Sequence, residues 1–163
     1  MKTFLPHFSI VLFLILYLLP LHSSVDEFRT IRVSLIAATQ SDTFAIDKKI
    51  QSLESILKKA AKKYQKFVPL AIVEKQTIKL DEISRIPLTK TMFVEITLES
   101  LVKDYYPITV RWFTKTETEE KEIVKAEQHK LRVNFSLLIG KSASEKSVNA
   151  ELIAIEFVDP SSP

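Results

Sequence analysis

Asp47 to Lys66 reads DKKIQSLESILKKAAKKYQK, and this stretch decides which fold class the sequence predicts. At about 100° of rotation per residue, its apolar residues and the preceding isoleucine fall within roughly 140° of arc. These residues are Ile46, Ile50, Leu53, Ile56, Leu57, Ala60, Ala61 and Tyr64. Six of the seven lysines occupy the opposite arc. The stretch therefore predicts an amphipathic helix with one face for a core and one for water.

Both ends of this helix carry sequence signals. Asp47 is a favourable N-cap or first-turn carboxylate, and the lysines in the C-terminal half suit the negative end of the helix dipole. Pro69 cannot continue a helix and favours an extended conformation for Val68. We therefore expect the helix to end near Lys66.

The first two dozen residues predict a targeting signal. Lys2 supplies a positive charge, Phe8 to Leu19 (FSIVLFLILYLL) is an apolar run, and Pro20 ends it before small residues. This is the layout of a signal peptide, which we assign to residues 1–24. The run is shorter than the roughly 20 residues of a membrane span, and an uncleaved anchor is the alternative. The signal predicts export, to a periplasm or out of the cell.

The rest of the sequence predicts a single α+β domain over residues 25–158 and a frayed tail over 159–163. The chain has no Cys, so disulfides are excluded. Its charge is uneven. Seven lysines between Asp47 and Lys66 face only two acidic residues, which gives that stretch a local net charge of +5.

Apart from the helix, the exported part reads as strands, because apolar and polar residues alternate. The predicted strands are Thr30 to Ala38, Leu70 to Leu80, Ile83 to Leu88, Met92 to Leu101, Ile108 to Thr114, Glu120 to Glu127, Leu131 to Ile139 and Val148 to Val158.

One helix followed by a run of strands predicts an α+β fold. We expect one amphipathic helix, packed through Leu53, Leu57 and Tyr64 on a mainly antiparallel sheet of about six to eight strands, in the order strand, helix, meander. The other side of the sheet is either polar or covered because the sheet curls on itself.

This order resembles, in topology alone, the cystatin-like secreted domains with one helix on a sheet. The inhibitor loop of cystatins, Gln-x-Val-x-Gly, is missing. The single glycine, Gly140, follows Phe135-Ser136-Leu137-Leu138-Ile139 instead. The resemblance therefore implies a fold and carries over no residue or activity.

Residue types for catalysis are scarce. After the signal there is no Cys and one histidine, His129, which we predict to lie solvated at a turn. Glu95 and Glu99 form the one tidy carboxylate pair, and a soluble sheet face also explains them. Four further glutamates predict a solvated hairpin tip: Glu117, Glu119, Glu120 and Glu122. We therefore predict no catalytic, cofactor or metal site.

Two surfaces remain as docking candidates. The first is a lysine face that could bind a protein partner or an anionic envelope surface: Lys58, Lys59, Lys62, Lys63 and Lys66. Export disfavours nucleic acid, and a membrane is expected only through an uncleaved signal. The second candidate is the aromatic group formed by Trp112, Tyr105, Tyr106 and Phe113. These residues predict either part of a core or an exposed strand edge.

The sequence thus favours an exported, non-enzymatic interaction module or accessory subunit of a cell-envelope or secreted assembly. The alternative is a small-ligand or lipid-binding domain with a cavity between helix and sheet. An enzyme using carboxylates alone ranks third. Three structural features distinguish these possibilities. An exposed edge or apolar patch indicates an interaction module, and an enclosed cavity indicates a ligand-binding domain. Two carboxylates about 5–10 Å apart indicate an enzyme.

Overall fold

The computed structural model describes residues 28–60, 62–141 and 149–158, so the predicted signal peptide and tail lie outside the described residues. A 3-10 helix, Lys48–Leu53, precedes helix α1, Glu54–Ala60. The strands are β1 (Phe28–Thr39), β2 (Ala45–Ile46), β3 (Lys66–Lys79), β4 (Ile83–Pro87), β5 (Met92–Leu98), β6 (Tyr106–Lys115), β7 (Glu120–Leu131), β8 (Ser136–Gly140) and β9 (Asn149–Phe157).

The strands form two sheets. A five-stranded sheet has the order β2-β3-β1-β9-β8, and a four-stranded sheet has the order β4-β5-β6-β7. Neighbouring strands are antiparallel except for the short parallel pair of β2 and β3. The expected sheet-dominated α+β class is confirmed. The single sheet of the prediction, and of the cystatin-like resemblance, is wrong.

A hydrophobic core lies between the two sheets, and a single sheet could not bury the side chains that form it. Ile31, Val33 and Leu35 of β1 are fully buried in this core, which also holds buried side chains of the four-stranded sheet. Ile36 and Ala38, on the opposite face of β1, are fully buried as well. A strand that is dry on both faces needs a covering layer on each side.

The second covering layer is the helical segment. Ile50, Leu53 and Leu57 pack against Phe67 and the outward-facing apolar residues of β1 and β9. Asp47 caps the segment as predicted, because its side chain accepts a hydrogen bond from Lys49 N at 2.8 Å.

The predicted bounds of the helix are wrong. Its first half is a 3-10 helix with a non-helical Ile50, and Lys66 already belongs to β3. Lys66 pairs with Thr39 of β1, so strand pairing competes successfully with helix propensity there. Lysines at four-residue spacing, such as Lys58 with Lys62, also repel each other in a continued helix.

The predicted strand over 131–139 is wrong as well. Leu131 ends β7 in the four-stranded sheet, and Ser136 begins β8 in the other sheet. Between them the chain turns, with Phe135 N donating to Arg132 O and Asn134 at a φ of 70°. Asn tolerates this left-handed conformation better than most residues, so Asn134 was the turn signal within the alternating pattern.

The sandwich has two distinct ends. We call the first the loop end: it contains the start of β1 and the loops 80–82, 99–105 and 132–135. Phe28 faces Lys79 there, and Arg29 Nε donates to the hydroxyl of Tyr106 at 2.8 Å. The other is the helix end, where Thr39 faces Lys66. Among the described residues, no helix is long and apolar enough to cross a membrane.

Candidate docking surfaces

The carboxylate pair singled out from sequence does not converge. Glu95 and Glu99 are four residues apart on an extended chain, which separates their Cα atoms by about 13 Å. Glu99 instead accepts a hydrogen bond from Gln128 at 2.9 Å. His129 lies inside β7 opposite Ile108, not at a turn, and its Nε2 is 3.8 Å from a Glu127 oxygen.

Glu95 belongs to an ion-pair lattice on the outer face of the four-stranded sheet. Its two oxygens lie 3.4 Å from Arg85 and 3.2 Å from Arg111. Arg85 also holds Glu120 through two hydrogen bonds, of 2.6 and 3.3 Å, and Arg111 holds Glu122 at 2.9 Å. Two of the four glutamates predicted to form a solvated tip are therefore ion-paired instead.

Hydrogen bonding shifts the pKa values in this lattice. The bond from Arg111 lowers the pKa of Glu122 below its ordinary value, and it raises that of Arg111. The bond to Glu120 likewise raises the pKa of Arg85. Glu95 and Glu120 both approach Arg85 Nη2 and so come close enough for a glycosidase pair. Ion pairing on an outer sheet face explains the position of both carboxylates, Glu95 with Arg85 and Arg111, and Glu120 with Arg85.

Two stacked phenylalanines complete the lattice. The Phe93 and Phe113 rings lie 4.9 Å apart and are nearly parallel, with an interplanar angle of 5°. The Arg85 guanidinium lies 4.0 Å from the Phe93 centroid, and that of Arg111 lies 4.9 Å from the Phe113 centroid. The arginines thus cover two large apolar side chains on a sheet face over which the described part of the chain places no second layer.

A groove of about 310 Å³ adjoins this lattice at the helix end. Phe93 and Met92 line it together with charged Arg85, Lys115 and Glu120. It opens to solvent and is small for a ligand pocket. The space between helix and sheet, where the small-ligand alternative requires a cavity, holds the buried side chains Ile50, Leu53, Leu57 and Phe67. This packing does not favour that alternative.

A second polar cluster fixes the helical segment to its sheet. Arg32 on β1 has a side chain only 14% exposed, lying 3.0 Å from Glu74 and 3.7 Å from Glu156. Its Nη2 donates to Lys49 O in the 3-10 helix. These contacts orient the helical segment over the five-stranded sheet. A structural role therefore explains the cluster.

The lysine face is solvent-exposed at each position predicted for it, but only part of it is helical. Lys58 and Lys59 lie in the last turn of α1, Lys62 and Lys63 in the following turn, and Lys66 at the start of β3. Lys58 pairs with Glu54, and this hydrogen bond is the main cause that lowers the pKa of Glu54. The Lys58 ammonium also lies 4.5 Å from the Phe44 ring centroid.

The aromatic group around Trp112 does not form a sheet edge: Trp112 and Tyr106 belong to the core between the sheets, and Phe113 lies on the outer face. Trp112 is fully buried, Tyr106 and Phe113 are nearly so, and β6 lies between β5 and β7. The hypothesis of an exposed edge there is wrong. A different edge is open: among the described residues, only Ala45 and Ile46 pair with the outer side of β3, at its first two residues.

The open edge of β3 carries two exposed apolar side chains, Val68 at 39% and Leu70 at 51%. They follow Lys66 in sequence, and Leu70 lies within the register shift between Pro69 and Ala71. Pro69 and a register shift interrupt the edge close by, which limits regular strand addition. This pair was not predicted, because the predicted strand begins only at Leu70.

Among the described residues, no cluster of His, Cys, Asp and Glu could hold a metal ion. Comparison of the chain with protein-family models, curated proteins and solved structures found no match.

Proposed function

We propose that this chain is an exported, non-enzymatic interaction module that binds an acidic protein partner at the helix end. The observation that carries the proposal is a concentration of exposed side chains at the helix end, which we call the basic patch. It combines exposed lysines with two exposed apolar side chains: Lys58, Lys59, Lys62, Lys63, Lys66, Val68 and Leu70.

The composition of the basic patch suits a protein partner. Clustered positive charge attracts an acidic surface and accelerates its approach. Apolar side chains at the same end of the molecule add the area that a specific contact needs. Lysine presents a point charge without the planar fork of arginine, so the basic patch favours carboxylates in general over bidentate phosphate binding.

A synthetic peptide with alternating Glu and Leu provides a defined probe. Binding to the full chain should weaken as salt rises, because exposed charges are screened. The variant Lys58→Gln, Lys59→Gln, Lys62→Gln, Lys63→Gln should bind at least about tenfold more weakly, since it removes four attractive charges. Interferometry at low and moderate salt measures both effects.

The chain offers a control of equal charge change. Lys75→Gln, Lys103→Gln, Lys125→Gln and Lys130→Gln alter four exposed lysines that lie within strands or at the loop end, away from the basic patch. They should leave peptide binding within about twofold of the wild type, because distant surface charges are screened. Equal loss in both variants would show that net charge alone matters and would refute the basic patch. A partner captured from the envelope fraction should distinguish the two variants in the same way.

A further inference from the structure

Exposed apolar side chains concentrate at the loop end, opposite the basic patch. Among the described residues, eight large hydrophobic side chains are exposed, and two of them belong to the basic patch. The other six are exposed by 44–69% and lie at or beside the loop end: Phe28, Ile83, Leu101, Val102, Val133 and Phe135. Such a concentration is unusual on a soluble surface and marks a contact site.

Polar contacts between the loops hold these side chains in place. Arg132 Nε lies 3.1 Å from Asp104 Oδ2, which joins loop 132–135 to loop 99–105. Asp81 accepts a hydrogen bond from the Ser100 hydroxyl at 2.9 Å, which joins loop 80–82 to the same loop. The apolar residues therefore stand on cross-linked loops, and little ordering is needed when they bind.

The tip of loop 99–105 is a tight turn. Val102 and Tyr105 exchange backbone hydrogen bonds of 2.8 and 3.2 Å, and Lys103 between them has a φ of 59°. Leu101 and Val102 are about half exposed beside the turn. This geometry places two apolar side chains on a protruding backbone turn.

Cations and Tyr105 lie beside the apolar side chains, together with the loop carboxylates Asp81 and Asp104. Lys103 is exposed at the turn, and the Lys130 ammonium lies 4.9 Å from the Tyr105 ring centroid. Arg132 leads into the turn that carries Val133. Apolar tips flanked by lysine, arginine and tyrosine match the composition of a membrane interface, where cations meet anionic headgroups and apolar side chains enter the acyl boundary.

The course of the chain agrees with a membrane as the occupant. The described chain starts at Phe28, at the loop end, and only eight residues separate it from the end of the apolar run Phe8 to Leu19. Eight extended residues span at most about 30 Å. While that run is inserted in a bilayer, the loop end is thus the part of the sandwich attached most directly to it.

We propose that the loop end docks on an anionic lipid bilayer. Leu101, Val102, Val133 and Phe135 enter the interface, and Lys103, Lys130 and Arg132 contact the headgroups. The proposal uses the end opposite the basic patch and stands independently of the proposed function. Docking in this orientation leaves the basic patch facing away from the bilayer, where a protein partner has access.

The absence of cysteine makes a direct test possible. Single-cysteine full-length chains, Val102→Cys, Phe135→Cys and Thr118→Cys, carry an environment-sensitive fluorophore. Thr118 lies in loop 116–119 at the helix end and is the matched exposed control. With phosphatidylethanolamine–phosphatidylglycerol vesicles, labels at 102 and 135 should shift to the blue and be quenched by lipid-borne quenchers. The label at 118 should stay in water.

A second variant separates insertion by the loops from tethering by the N-terminal run. Leu101→Ser with Phe135→Ser should reduce lipid quenching of the label at 102 several-fold, because two inserting side chains are lost. Emission of the buried Trp112 should remain unchanged and so confirm folding. A water-like label at 102 and 135 in vesicles would overturn the proposal. So would a blue shift without vesicles that grows with protein concentration, because it would assign the loop end to a second copy of the chain.

Discussion

The outer faces of the two sheets are completed in different ways. The five-stranded sheet presents Ile36, Ala38 and Leu152 outward and buries them under the helical segment. The four-stranded sheet has no second layer among the described residues and covers Phe93 and Phe113 with two arginines that are bound by glutamates. An apolar sheet face requires another element, whereas a mixed face is completed by its own side chains.

The two solutions also differ in how directly the sequence encodes them. The helical cover depends on residues three and four apart, a local pattern. The lattice joins Arg85 on β4, Glu95 on β5, Arg111 on β6 and Glu122 on β7, which meet only after four strands have paired in register. The difference shows why the helix was predicted and the lattice was not.

Removing the helical cover should have the largest effect. Leu57 is fully buried against the five-stranded sheet, and Leu57→Ala should lower the free energy of unfolding by about 2–5 kcal/mol. Lys59→Ala, on the exposed face of the same turn, should change it by no more than about 0.5 kcal/mol. Urea unfolding measures both. Similar losses in the two variants would mean that the helix does not act as a cover.

Breaking the phenylalanine stack should cost less. Phe113→Ala should lower the free energy of unfolding by about 1–3 kcal/mol, below the usual range for a core phenylalanine, because the vacated site opens to water. A double-mutant cycle with Phe93→Ala should assign about 0.5–1.5 kcal/mol to the ring pair itself. Additive losses would show that the two rings merely lie side by side.

The smallest effect should come from the ion pairs and should depend on pH. The pKa of Glu122 is lower in the folded state than in the unfolded state, where it is about 4.3. The ionised Glu122 carboxylate therefore stabilises the fold above the unfolded pKa. This stabilisation is lost as pH falls through the folded pKa. At pH 7 the wild type should therefore have a higher unfolding midpoint than the Glu122→Gln variant. The difference between the two midpoints should disappear towards pH 3. High salt at pH 7 should narrow it too. A gap independent of pH would exclude the ion pair as its source.

Several elements follow from local sequence alone. The cap at Asp47, the apolar face of Leu53 and Leu57, and the alternating cores of β1 and β5 were all predicted. Each depends on spacing within a few residues. Lys66 and the 131–139 run were predicted wrongly, since pairing with Thr39 and the crossing between sheets outweighed local pattern there.

The sequence by itself determined most of the strands, the helical cover and the lysine cluster, because periodicity and composition are local properties. Only the tertiary structure decided that the strands divide into two sheets and that Phe28, Leu101, Val102 and Phe135 share one end of the sandwich. Positions more than 100 residues apart in sequence become neighbours only through strand register and loop contacts, which no local pattern encodes.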